Sequence, residues 1–205
     1  MAKEMIPSPL LDLRFQEALR FAVELHAAQS RKGTSIPYIG HLLGVCSIVI
    51  DAGGSEDEVI ASLLHDGPED QGGLATLERI RRRFGDRVAE IVEHCSDTFE
   101  EHKPPWRDRK ERYLETLRSC EDESVYLVSA ADKLHNLRAI LKDYREIGDL
   151  LWPRFSAPSG KVDVLWYYEA LLQRYESGPF RPRSRWVLRD LRETLAAVIA
   201  HRPAM

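Results

Sequence analysis

At 205 residues, 43% apolar and 30% charged, the chain is long enough for one domain with a real hydrophobic core, and its composition is not that of a disordered polymer. A net charge of −4 and a pI near 6.0 argue against a duplex nucleic-acid partner, which calls for a basic excess, while a local basic cluster still suffices for a small anionic ligand. No stretch approaches the roughly 18 apolar residues that cross a membrane, and the opening MAKEMIPSPL has no secretory h-region, so a cytoplasmic protein is expected.

Helical periodicity dominates the chain. Phe15, Ala18, Leu19, Ala22 and Leu25 mark one face of a first helix. SRKGTSIPYIG (30–40) reads as a loop, and HLLGVCSIVIDA as a second helix with Val45, Ile48 and Val49 inward, closed by Gly53-Gly54. Ser55 with Glu58 three residues on is a capping box that opens a third helix leading to His65. A helix around 76–84 stops at Gly85, and another begins at Asp86 with Val88, Ile91, Val92 and Cys95 inward. TFEEHKPPWRDRK is a Pro-containing charged connection, followed by a polar helix over 108–119. ESVYLVSAADKLHNLRAILKDYREIG is a long helix ending at Gly148, WPRFSAPSG a loop, KVDVLWYYEALLQRYES a helix, GPFRPRSR a linker and WVLRDLRETLAAVIAH a last helix. No alternating runs joined by Asn-Gly or Asp-Gly suggest paired strands. The expected fold is therefore all-α: a compact helical bundle over 1–180, with the linker and helix of 181–205 packed on the same domain through Trp186, Val187, Leu191, Leu195 and Val198. The oligomeric state is not fixed by any sequence feature. Cys46, Cys95 and Cys120 fit neither a disulfide framework nor a CxxC metal site and read as small core residues of a reduced compartment.

The residues that interrupt the apolar pattern are more telling. Val125, Val128 and Asp132 are spaced three and four apart on one helix face, so Asp132 points inward, where a carboxylate must be paired, hydrogen-bonded or metal-bound. His41 opens a helix whose inward positions include Val45 and Ile48, and His65-Asp66 closes a third apolar helix. Each alone is more often a satisfied core histidine or a salt-bridged aspartate. Together they bring two imidazoles and two carboxylates to the inner faces of three helices. Such a mixed N/O set suits Mn, Fe or Zn and leaves positions for water and a substrate oxygen. Pro68 lacks an N–H and clashes with a preceding carbonyl, so the helix is expected to kink or end here, with Glu69 and Asp70 following.

In these residues the sequence resembles the HD phosphohydrolase superfamily, whose metal-binding pattern His41, His65-Asp66 and Asp132 match. RKGTSIPYIGH, LLHDGPED and ADKLHNLR are similar to motifs of the Rel/SpoT hydrolase domain and of stand-alone small alarmone hydrolases, over about residues 10–175. The resemblance implies an HD-domain bundle and manganese-dependent removal of the 3′-pyrophosphate of (p)ppGpp, giving GDP or GTP and pyrophosphate. It implies that His41, His65, Asp66 and Asp132 hold the metal and that Glu69 and Asp70 activate or position the attacking water. Asn136 then lines the nucleotide pocket, and Arg31 and Lys32 lie near the base and phosphates. Tyr167 sits in an aromatic-rich helix similar to one that touches the nucleotide in the small hydrolases. Lys103 and Arg107, from the basic run KPPWRDRKER, are candidates for the phosphates, because a pyrophosphate-bearing nucleotide needs several cations. Leu42 in place of a usual Pro, Gly67-Pro68 in place of Thr-Val, and the KPPWR segment depart from the pattern. They leave the ligand set intact and the base preference open. The alternatives are (p)ppApp, another phosphate ester, or a non-catalytic nucleotide-binding role. The Rel/SpoT synthetase region has no counterpart here, so synthesis is not expected. A small nucleotide, rather than nucleic acid or a membrane, is the expected partner.

Overall fold

The computed structural model describes residues 11–100 and 102–202; the stretch 1–10, on which the reading of a leader-free N-terminus rests, lies outside them. In chain order the helices are α1 (Leu13–Leu25), α2 (Ile39–Asp51), α3 (Glu56–Leu64), the single turn α4 (Gly67–Asp70), α5 (Gly73–Phe84), α6 (Asp86–Cys95), α7 (Trp106–Ser119), α8 (Glu123–Ile147), α9 (Lys161–Ser177) and α10 (Arg185–Ala200). Two of them are encased by the rest. Helix α3 lies against α1, α2, α6 and α8, and α8 packs against α2, α3, α6, α9 and α10. Residues 124–132 of α8 are buried without a break, so the helix is surrounded on every side there. Its polar groups must find partners inside the protein. Ser129 bridges the Tyr113 and Tyr175 hydroxyls at 2.5 and 2.6 Å, and Asp132 faces His41 of α2 and His65 at the end of α3.

Local sequence explains the ends of these elements. Gly53, at φ +70°, turns the chain out of α2. The Ser55–Glu58 capping box is present in both directions at the start of α3. The expected all-α character holds among the described residues, where the one extended pairing is an isolated bridge between Ser30 and Pro37. Several details differ from expectation. Helix α5 starts at Gly73, and α7 starts at Trp106 rather than at 108, because Pro105 in extended conformation serves as its N-cap. Gly148–Arg154, which begins at the expected helix end and runs into the expected loop WPRFSAPSG, winds as a 3₁₀ helix. Val187, Leu191, Leu195 and Val198 of α10 are buried against α8 and α9, so that apolar stripe closes the core of this chain. The three cysteines are free, Cys46 and Cys95 buried. Among the described residues no helix is long and apolar enough to cross a membrane.

The linker before α10 also locks α3. Arg181 donates to both Glu58 oxygens, at 2.7 and 3.0 Å, and the Glu58 side chain is only 1% exposed. Arg181→Ala would leave that carboxylate buried with the backbone N–H of Ser55 as its remaining strong donor. Breaking one side of a buried pair costs about 3–5 kcal/mol. The expected result is a drop in the urea midpoint equivalent to about 3 kcal/mol, with the m-value unchanged.

Candidate metal centre and its cavity

Helices α2, α3 and α8 meet where their sequences place the inward polar residues. The first turn of α2 presents His41, the turn that follows α3 carries His65 and Asp66, and the buried face of α8 carries Asp132. His41, His65 and Asp132 are all buried, and each offers a ligand atom within 4.8 Å of the others. Asp66 Oδ2 lies 3.3 Å from His41 Nε2 and 3.1 Å from His65 Nε2. Asp132 Oδ1 lies 3.2 and 3.6 Å from the same two atoms. The fourfold convergence expected from the sequence is therefore present.

The donor atoms point at a shared space rather than at one another. Both Nε2 atoms are buried, and neither makes a well-formed hydrogen bond despite the nearby carboxylates. Their other ring nitrogens are engaged. His65 Nδ1 donates to the Ser62 carbonyl oxygen at 2.8 Å, so Nε2 is the ring nitrogen turned to the site, and His41 Nδ1 lies 2.8 Å from His135 Nδ1. The carboxylates are held from outside as well. The Tyr38 hydroxyl donates to Asp66 Oδ2 at 2.6 Å, Lys133 Nζ to Asp132 Oδ2 at 2.5 Å, and Asn136 Nδ2 to Asp132 Oδ1 at 2.6 Å. Two imidazoles and two carboxylates, each oriented by an outer partner, are a donor set that fits a divalent transition ion. Burial works against a charged His65, yet Asp66 and Asp132 raise its pKa well above the usual value. Against their own burial, Asp66 is held well below the carboxylate range by His65 and His41, and Asp132 by Lys133, His41 and His65.

Helix α3 ends at Leu64, as Pro68 requires, and the chain then makes one further helical turn. Pro68 sits near the start of that turn, where a missing N–H is tolerated. The turn presents Glu69 and Asp70 side by side, and Lys103 Nζ bridges them at 2.9 and 3.1 Å. Burial, then Asp97, push the Glu69 carboxyl up to about 7 against the opposing pull of Lys110 and Lys103. Asp97 itself, despite its burial, is held at about 2 by Lys110 and Arg109, each 2.5 Å away. On the other flank Gln29 fixes Asp70. Its Oε1 takes bonds from Gln71 Nε2 and His26 Nδ1, both at 2.6 Å, so its amide N–H₂ faces Asp70 Oδ2 at 2.9 Å.

The centre lies at one wall of a cavity of about 720 Å³, lined among others by Arg31, Lys32, His41, Asp70, Asn136 and Tyr167. The Ser30–Pro37 bridge closes the loop that delivers Arg31 and Lys32. Arg31 Nη2 donates to Asn136 Oδ1 at 2.9 Å and Lys32 Nζ to Ser156 Oγ at 2.7 Å. Tyr167 keeps its hydroxyl buried without a partner. Two of the sequence candidates stand elsewhere. Lys103 holds the Glu69–Asp70 pair instead of lining the cavity, and Arg107 does not reach it. The Arg107 guanidinium lies 3.2 Å over the Trp166 ring and bonds Glu111 at 2.7 Å, so its charge is spent between α7 and α9. Lys110, three residues on, takes the inward position with Trp106. Sequence reasoning missed Lys133, Gln29 and His135. Lys133 had a signal, since it adjoins a buried aspartate.

A model of the HD domain family matches residues 18–149. Among curated proteins, a Xenopus tropicalis guanosine-3′,5′-bis(diphosphate) 3′-pyrophosphohydrolase, MESH1, is 41% identical over 125 residues, which cover 60% of this chain and 66% of that protein. The Aquifex aeolicus guanosine-3′,5′-bis(diphosphate) 3′-pyrophosphohydrolase is 36% identical over 126 residues, 61% of this chain but 17% of that protein. The match thus spans just under two thirds of the first relative and a small part of the second. Of solved structures, one described as a metazoan ortholog of SpoT that hydrolyzes ppGpp superposes with a TM-score of 0.68 at 23% identity, covering 92% of this chain and 97% of that one; it shares the fold. The Listeria monocytogenes protein lmo0812 superposes with a TM-score of 0.65 at 27% identity, covering 78% of this chain and 99% of that one. With its His, His-Asp and Asp residues converged on one point, and with the family pattern matched across most of its length, the chain belongs to the HD domain family.

Proposed function

We propose that the protein is a manganese-dependent hydrolase that removes the 3′-pyrophosphate of (p)ppGpp, yielding GDP or GTP and pyrophosphate, and that it acts on this small nucleotide in the cytoplasm. The observation that carries the reading is the convergence of His41, His65, Asp66 and Asp132 beside the Glu69–Asp70 pair, at the wall of a cavity lined with cations. Several relatives bear the name of this activity. His41, His65, Asp66 and Asp132 would hold a divalent ion, which when bound would supply Lewis acidity to activate water near neutral pH and polarise a phosphoryl oxygen.

The chain's own residues do the rest. Glu69, with a pKa near 7, accepts a proton from the attacking water, and Lys103 with Gln29 keeps the two carboxylates in register for it. Lys133 offsets the negative charge of Asp132, so the carboxylate-rich floor does not repel a polyanion. Lys110, Lys32 and Arg31 draw the phosphates into the cavity, and the Arg31 plane can stack on a purine. The Tyr167 hydroxyl and Asn136 provide neutral contacts to the nucleotide.

The second reading keeps the centre and changes the nucleotide. Trp106, from the KPPWR segment that departs from the Rel/SpoT pattern, and Lys110 one turn on line the cavity, which favours a wall adapted to a different base or ester. One experiment separates the two. Purified protein with Mn²⁺ is given ppGpp, pppGpp, ppApp and simple phosphodiesters, and pyrophosphate release is measured. Release from the guanosine alarmones in preference to the rest is expected. Hydrolysis of another ester alone moves the assignment to it, and no release from any substrate refutes the hydrolase.

A further inference from the structure

We infer that His135 is the positioning residue that fixes His41 for ion binding, accepting a hydrogen bond from the His41 Nδ1–H through its own Nδ1; the inference rests on the metal centre proposed above. An imidazole that gives Nε2 to an ion must carry its proton on Nδ1. The His41 Nδ1 bond goes to His135 Nδ1, 2.8 Å away, so two nitrogens share one proton. When His41 keeps it, His135 accepts and carries its own proton on Nε2.

The backbone facing this ring is cut away to admit it. Gly44 lies in the interior of α2, one turn from His41, and a Cβ there would stand 2.2 Å from both Cδ2 and Nε2 of His135. Glycine is the poorest helix former after proline, so its use there has a steric reason. Bare backbone lets the α8 ring approach α2 closely enough to reach Nδ1 of His41.

The choice of acceptor follows from charge. Metal-bound histidines usually donate to a carboxylate, carbonyl or water. His135 lines the cavity. A further carboxylate at that wall would face the phosphates of the substrate, whereas a neutral imidazole accepts the same bond without adding negative charge.

Mn²⁺ affinity is measured by calorimetric titration on the full chain and three variants. His135→Phe keeps a ring and removes the acceptor, and a rise in dissociation constant of about 10- to 100-fold is expected. His135→Asn returns an acceptor oxygen close to the place of Nδ1 and should bring the constant back towards that of the unaltered protein. Gly44→Ala displaces the imidazole without deleting it and should weaken binding as His135→Phe does. Thermal unfolding in EDTA checks that each variant folds; should His135→Phe not fold, Gly44→Ala and His135→Asn carry the comparison. Unchanged affinity in the folded variants overturns the inference and leaves the metal centre standing. Equal weakening in Phe and Asn variants also overturns it, by assigning the effect to ring packing. Failure of the unaltered protein to bind Mn²⁺ overturns the centre itself and the inference with it.

Discussion

Asp132→Asn is expected to lower pyrophosphate release by about a thousandfold or more, equivalent to at least ~4 kcal/mol of transition-state stabilisation, and to weaken Mn²⁺ binding in parallel. The substitution preserves volume and removes only charge. Asp132 Oδ1 lies within 3.6 Å of both imidazole Nε2 atoms, so a neutral amide there takes one of two anionic donors from the ion. It also strands Lys133, whose side chain is only 14% exposed and whose ammonium pairs with Asp132 Oδ2. Loss of one side of a buried pair costs about 3–5 kcal/mol, so urea unfolding should show a lower midpoint alongside the kinetic loss. Steady-state kinetics, calorimetry and unfolding on one preparation test all three effects. Retention of both Mn²⁺ affinity and rate would remove Asp132 from the centre.

Glu69→Gln is expected to cut kcat by about 10²–10⁴-fold, the usual contribution of a positioned general base. It should also erase a limb of the pH profile. The Glu69 carboxyl is pushed up to about 7, first by burial and then by Asp97, and only its ionised form accepts a proton. Activity of the unaltered protein should therefore rise as pH passes through about 7, and the Gln variant should lack that rise. Lys103 pulls this pKa down, so Lys103→Met should move the limb to higher pH. Stability responds with the opposite sense. Because the folded pKa lies above the unfolded value, Glu69 contributes most below the unfolded pKa, and this contribution is lost as pH rises through about 7. At pH 8 the ionised group is a burden on the fold, so Glu69→Gln should raise stability by on the order of 1–2 kcal/mol while it destroys activity. A pH-independent difference between the two proteins would exclude Glu69 as the titrating base.

The parts of the site that could be read in the sequence are those set by helix periodicity. Asp132 shares a face with Val125 and Val128, which are buried, and the same spacing that predicts burial predicts the direction of the carboxylate. His41 with Val45 and Ile48 obeys the same rule. What stayed hidden depends on segments far apart in the chain. Gln29, Asp70 and Lys103 meet only because the segments after α1 and before α7 converge on α4, and no local pattern marks Gln29 as the amide that orients an acid. Arg107 shows the complementary failure. A run of charges does not say which of its members faces inward, and the answer came from Trp166 on another helix. Pro104-Pro105 misled in a similar way, suggesting a long connection where Pro105 in fact caps a helix. The Gly44 notch is visible only against the ring that fills it.

Diffraction from crystals soaked in Mn²⁺, recorded at the manganese absorption edge, probes the arrangement most directly. A single anomalous peak is expected within about 2.0–2.3 Å of His41 Nε2, His65 Nε2 and oxygens of Asp66 and Asp132. A peak bound elsewhere, or no peak with the four side chains ordered and paired among themselves, would refute the assignment of these residues to one ion.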